Sequence, residues 1–195
     1  AGLRTGDKYS PFPEEMNRRL TSCMSGFYFA PTDLALRNLR KEGVAADKIY
    51  LTGNTVIDAL LETVKDNYIF SDPVLKGLDF ARERVILLTT HRRENWGEPM
   101  ERIFEAVRQI IQGFSHTRVV FPVHRNPQIR ELARARLGDL DRVNLIEPPH
   151  YQEFANLMAK SYFLITDSGG LQEEAPSLGK PVLVLRDTTE RPEGV

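Results

Sequence analysis

The sequence predicts an α/β protein of two doubly wound domains, the first of them only partly present. Three observations carry this reading. Short apolar, β-branched runs recur at residues 85–89, 118–123, 143–146, 162–166 and 181–185. Segments with apolar residues three and four apart lie between them, at 100–111, 129–137, 151–159 and 171–178. The strands are apolar along their whole length rather than on alternate positions, which fits a parallel sheet covered by helices on both faces.

Residues 1–60 have a different texture. A loop at 1–7 leads to a helix from about Glu14, a strand at 27–30, a helix at 33–41 and a strand at 48–51. These are two αβ steps without the strands that should precede them. Residues 1–60 are therefore expected to be the closing part of one Rossmann-like domain. Residues 61–195 are expected to be most of a second, reached through a helix at 56–65 and the 68–76 stretch. Two such domains would flank a cleft at the carboxyl ends of their strands, where ligands of this class bind. The start at Ala1, without Met or a signal peptide, and the end just after RPEG read as cuts through a longer protein.

Bulk properties narrow the function. The 195 residues carry 26 Lys and Arg against 27 Asp and Glu, a formal charge of -1. No basic field points to nucleic acid or an anionic membrane, and no apolar run approaches the roughly 20 residues that span a bilayer. One cysteine, Cys23, allows no internal disulfide and suits a reducing compartment. It lies on an apolar helix face without metal-ligand spacing around it and is expected to pack. His116 and His150 are expected to be structural or solvated.

The stretch LITDSGGLQEEAP (164–176) raises the sharpest question. Ser168, Gly169 and Gly170 form the turn between a buried strand and a helix. There, backbone N–H groups and the helix dipole suit an anion, and glycine lets phosphate oxygens come close. A Ser N-cap with glycines that serve only the turn explains the same residues. Glu174, six residues past Ser168, tips the balance, because a carboxylate can accept both ribose hydroxyls. Glu173 is an ordinary acidic first-turn residue. Diphosphate on Ser168, Gly169 and Gly170 with ribose on Glu174 describes a nucleoside diphosphate.

EAPSLGKPVL (174–183) resembles the nucleotide-sugar signature of GT-B-fold enzymes. A fuller set is narrower: AGLRTGDKYSPFPEEMNRRLT (1–21), TGNTVIDALL (52–61), HRRENWGEPM (91–100), PVHRNP (122–127) and TDSGGLQEEAPSLGKPVLVLRDTTERPEG (166–194). Together these closely resemble the non-hydrolysing bacterial UDP-N-acetylglucosamine 2-epimerases, over about the middle half of that family's length. The resemblance implies interconversion of UDP-GlcNAc and UDP-ManNAc by anti elimination of UDP to 2-acetamidoglucal and syn return of UDP. It implies no metal and no cofactor, a cytoplasmic setting that feeds cell-surface polysaccharide, and a homodimer when full length. The rivals on the same scaffold are a hydrolysing epimerase, a UDP-sugar glycosyltransferase and a UDP-sugar-binding piece without catalysis. The 195 residues alone are expected to be inactive, because two further family carboxylates map before Ala1.

Residue roles follow from the resemblance. Glu14, otherwise a plain acidic helix start, becomes a catalytic carboxylate. His91, after the strand at 85–89, binds UDP and in its protonated form helps the diphosphate leave. Phe154, which helical spacing alone assigns to the core, becomes a wall of the uracil pocket. Arg191 reaches the nucleotide-sugar. Arg92 and His124 correspond to a second, activating substrate site.

Overall fold

The computed structural model describes residues 1–194, which divide into two compact units. One unit comprises residues 1–59 with 186–194, and the other residues 60–185. In the first, α1 (Glu14–Met24) precedes a strand, β1 (Tyr28–Ala30), a helix, α2 (Asp33–Lys41), and a second strand, β2 (Ile49–Leu51). β1 and β2 pair in parallel, with Tyr28 opposite Ile49. Tyr28, Ala30, Ala35, Leu39 and Ile49 form the small core. Thr32 caps α2 by accepting from the Ala35 amide at 3.2 Å. Gly2 passes so close to this helix that a Cβ there would lie 2.2 Å from the Ala35 carbonyl oxygen, at a φ of +83° that disfavours any other residue.

Helix α3 (Thr55–Thr63) and the short α4 (Pro73–Lys76) lead to the larger sheet. Its strands are β3 (Arg84–Thr89), β4 (Thr117–Pro122), β5 (Val143–Ile146), β6 (Phe163–Thr166) and β7 (Val182–Val184). The intervening helices are α5 (Glu98–Gly113), α6 (Pro127–Leu137), α7 (Tyr151–Lys160) and α8 (Leu171–Ser177). All strand pairs are parallel, in the order β5-β4-β3-β6-β7. The chain thus walks outward from β3 to β5, returns past β4 and β3, and continues through β6 to the other edge.

Because parallel crossovers are right-handed, reversing the direction of travel moves the helices to the opposite face. The core shows this. Ile86, Leu88, Val119 and Phe121 pack with Met100, Phe104 and Val107 of α5 and with Ile129, Ala133 and Leu137 of α6. Their strand neighbours Val85, Leu87, Val120 and Leu164 pack with Leu60 of α3, Ala155, Leu157 and Met158 of α7, and Leu171 and Ala175 of α8. Neighbouring residues of one strand are buried on both faces, which is why these runs are apolar throughout. The predicted strands and helices of both units lie within about two residues of the observed ones, as the ends of such elements normally allow.

Cys23 departs from expectation: it is exposed, as are Leu20 and Met24 on the same helix. The one buried residue of α1 is Glu15, whose carboxylate receives Arg18 Nε at 2.9 Å and lies 3.7 Å from Arg19 Nε. The inward side of α1 is therefore ionic, and the apolar spacing around Cys23 faces solvent in this chain.

Two buried polar side chains of α7 fix the segment that enters the sheet. Asn156 accepts from the Lys65 amide at 2.8 Å and donates to the Thr63 carbonyl at the end of α3. Glu153 accepts from the Ser71 amide at 2.6 Å, the Asp72 amide at 3.0 Å and the Ser71 hydroxyl at 3.1 Å. Burial opposes its ionisation, but the Asp72 and Ser71 donors hold the carboxyl below the usual range. Glu153→Ala strands these donors and should lower stability by about 2–3 kcal/mol in urea unfolding. An unshifted midpoint would contradict the role given to Glu153.

Candidate nucleotide site

The reversal of strand order falls between β3 and β6, so the loops after these two strands flank the place where doubly wound sheets bind ligands. The loop after β3 carries Thr90, His91, Arg92 and a 3-10 turn at Arg93–Asn95. The loop after β6 carries Asp167, Ser168, Gly169 and Gly170 and then enters α8.

Asp167 joins the two loops. It is fully buried. Its Oδ2 accepts from the Thr90 hydroxyl, the His91 amide and the Arg92 amide, each at 2.9 Å, and from Asn95 Nδ2 at 3.0 Å. Asn95 also donates to the Leu185 carbonyl at 3.2 Å, which extends the tie beyond β7. Burial opposes ionisation of Asp167, but the His91 ring, the Arg92 amide and Asn95 together hold its carboxyl down at about 2. A second tie lies one residue earlier, where the Thr89 and Thr166 hydroxyls are 2.6 Å apart. Thr166 also accepts from the Ser168 amide at 3.0 Å, which turns the backbone out of β6.

Ser168 does not cap α8. Gly170 stands at the N-cap, in helical geometry and without a side-chain cap bond. The Glu173 and Glu174 amides both donate to the Gly170 carbonyl at 3.0 Å. A Cβ on Gly170 would lie 3.1 Å from Glu174 Oε1 and 4.0 Å from the Ser168 hydroxyl. The glycine thus leaves room where a hydroxyl and a carboxylate converge. Gly169 is buried in the turn, and buried Gln172 closes it from below, with Nε2 3.4 Å from the Ser168 carbonyl. Tyr151, at the start of α7, feels the same carboxylate: burial pushes its phenol up, and Glu174 adds to the shift.

His91 is half exposed, with Nδ1 3.2 Å from Asp167 Oδ1. Its ring stacks on that of His124, with centroids 6.1 Å apart and planes 21° apart. His124 follows β4, and its Nδ1 accepts from the Asn126 amide at 3.2 Å. His91, Arg92, His124, Ser168, Gly169, Gly170 and Glu174 therefore all occupy loops or helix starts at the carboxyl ends of β3, β4 and β6. Phe154 is partly buried against the core beside Leu157 and Met158.

Two of the expected residues belong to the other unit. Glu14 is the first residue of α1. Arg191 is half-buried, with NH1 2.6 Å from Glu190 Oε1. Glu190 is buried and also receives Arg186 NH1 at 3.0 Å. Burial opposes its ionisation, while its own backbone amide and the Arg186 and Arg191 guanidiniums hold it ionised. Among the described residues no cluster of His, Cys, Asp or Glu is arranged to hold a metal, and no helix is long and apolar enough to cross a membrane.

The family model for UDP-N-acetylglucosamine 2-epimerase matches residues 1–195. A UDP-N-acetylglucosamine 2-epimerase of Bacillus subtilis is 60% identical over 195 residues, covering 100% of this chain and 50% of that protein. An S. aureus structure described as a UDP co-structure superposes with a TM-score of 0.93 at 51% identity, covering 99% of this chain and 52% of that one. A Neisseria meningitidis UDP-GlcNAc 2-epimerase bound to UDP-GlcNAc superposes with a TM-score of 0.93 at 48% identity, covering 100% and 53%. The chain thus spans about half the length of these relatives.

The acid limb of stability should report Asp167. Unfolded, its carboxyl titrates near 3.8, and folded near 2, so its ionisation stabilises the fold fully above pH 4 and not at all once the pH has fallen through 2. The contribution is about 2 kcal/mol. Urea midpoints of the protein and of Asp167→Asn should differ most near pH 5 and converge toward pH 2. A constant difference across that range would contradict the assignment.

Proposed function

The chain belongs to the UDP-N-acetylglucosamine 2-epimerase family, and on that premise we propose that the intact protein interconverts UDP-GlcNAc and UDP-ManNAc. The observation that carries the proposal is the convergence of the Ser168 hydroxyl, the bare Gly170 and the Glu174 carboxylate after β6, with His91 in the facing loop after β3 held to Asp167, at the reversal of strand order. Relatives solved with UDP and with UDP-GlcNAc support a nucleotide-sugar ligand.

In this reading the diphosphate lies on the Ser168 hydroxyl and the Gly169 and Gly170 amides, since the Ser168 amide is already given to Thr166. Glu174 accepts the ribose hydroxyls, and Phe154 borders the uracil. Arg191 reaches the nucleotide-sugar. Arg92 and His124 bind a second, activating substrate molecule. The protein is taken to be a cytoplasmic homodimer that supplies ManNAc units for cell-surface polysaccharide.

The chemistry then needs a base and a stabilised leaving group. A carboxylate removes the C2 proton, the C2–H electron pair becomes the C1=C2 double bond, and the C1–O bond breaks with its electrons on the β-phosphate oxygen. His91 stabilises the charge that builds there. Return of that oxygen to C1, with protonation on the opposite face of C2, gives the epimer. Glu14 is proposed as one of the carboxylates in this exchange. The C2 hydrogen leaves as a proton, so the route itself needs no redox cofactor.

In deuterated water the full-length protein should convert UDP-GlcNAc to UDP-ManNAc with deuterium at C2. Retention of the C2 hydrogen would refute elimination, and release of free ManNAc would indicate a hydrolysing enzyme. Glu14→Gln should lower turnover by about 100-fold or more while UDP affinity stays within about threefold. Turnover at the unsubstituted rate would remove Glu14 from the mechanism.

A further inference from the structure

We propose that Asp167 is a positioning residue for His91, whose second carboxylate oxygen decides which ring nitrogen carries a proton. The inference rests on the preceding reading of His91 as the group that meets the departing diphosphate. The two oxygens of Asp167 have different surroundings. Oδ2 is saturated by Thr90, His91, Arg92 and Asn95, so the carboxylate cannot rotate. Oδ1 is equally buried and receives no hydrogen bond. The polar side-chain atom beside it is His91 Nδ1, 3.2 Å away.

A buried carboxylate oxygen without a donor is unfavourable, so a small turn of the ring that aims an Nδ1–H at Oδ1 is favoured. Little opposes that turn, because the His91 ring is half exposed and lies flat against His124. The same carboxylate holds the His91 backbone amide at 2.9 Å, so ring and main chain are referenced to one fixed group. With Nδ1 protonated toward Asp167, Nε2 on the far side of the ring is the atom left for a ligand. An ionised carboxylate behind an imidazole fixes its tautomer and stabilises its cation without taking the proton itself. His124 has no such partner on its Nδ1, which accepts from the Asn126 amide. The stacked pair is therefore asymmetric, and only His91 is set up this way.

Asp167→Asn separates the two duties of the residue. The amide oxygen can still accept from the four donors at Oδ2, which preserves the tie between the loops. The amide NH2 then faces His91 Nδ1 and makes it an acceptor, which moves the ring proton to Nε2. The test uses full-length protein with 15N-labelled histidine, read by NMR without ligand, alongside steady-state epimerisation. Expected are a protonated Nδ1 at His91 in the unsubstituted protein and an Nε2–H tautomer in Asp167→Asn. Turnover should fall by about 100-fold, with KM for UDP-GlcNAc within about threefold.

A bare Nδ1 in the unsubstituted protein overturns the proposal, whatever the variant does. So does an Asp167→Asn protein with an unchanged tautomer, or with its whole defect in KM. If the variant does not fold, as thermal melting would show, the spectrum of the unsubstituted protein decides alone. If the unsubstituted protein folds and binds UDP but does not epimerise, the preceding reading fails, while the ring spectrum still judges the part given to Asp167.

Discussion

A buried carboxylate at the point where the sheet reverses its order is the constraint on which the site depends. Asp167 leaves β6 and gathers donors from the loop after β3, so two loops far apart in sequence share one acceptor. Fully buried, it is held ionised by the donors aimed at it. Such an arrangement is costly to break, because removing the acceptor leaves several buried donors unpaired at once. Fixing these loops also fixes what they display: His91 on one side, and Ser168, Gly170 and Glu174 on the other. The topology supplies the opening, and Asp167 gives it a definite shape.

The other unit has a counterpart in Glu190. It too is buried, and it too is kept ionised, here by its own backbone amide together with guanidiniums. Arg186 and Arg191 bind it closely, and Arg18 of α1 stands 3.9 Å away. Arg18 in turn pairs with buried Glu15, next to Glu14. The residue proposed as a catalytic carboxylate therefore begins a helix whose inner side is anchored by charge rather than by apolar packing. This explains why α1 buries a glutamate while Leu20, Cys23 and Met24 face solvent.

Much of the architecture was legible in the sequence, because a strand buried on both faces needs apolar residues at consecutive positions and the helices between need one apolar stripe. The run 85–89 shows this: Val85 and Leu87 serve one face, Ile86 and Leu88 the other. The glycine turn and Glu174 were legible because a bare backbone followed by a carboxylate one helical turn later is a local pattern. The role of Asp167 was not, although its letter sits in the same stretch. Its partners are 72 to 77 residues away in sequence, and only the pairing of β3 with β6 brings them near. The one available signal was an acidic residue placed directly after a fully apolar strand, where burial would demand partners. Cys23 as a packing residue misled, because helical spacing marks an apolar face without saying which side of the helix turns inward. On α1 the inward side is taken by the Glu15 carboxylate and its Arg18 partner.

In the proposed function the two loops joined by Asp167 form the seat of the nucleotide diphosphate. Amide hydrogen exchange of the full-length protein, with and without saturating UDP, tests it most directly. Slowed exchange is expected at the amides of Gly169, Gly170 and the first turn of α8, with a smaller effect at His91 and Arg92. Unchanged exchange at Gly169 and Gly170, with protection by UDP elsewhere in the sheet domain, would contradict it.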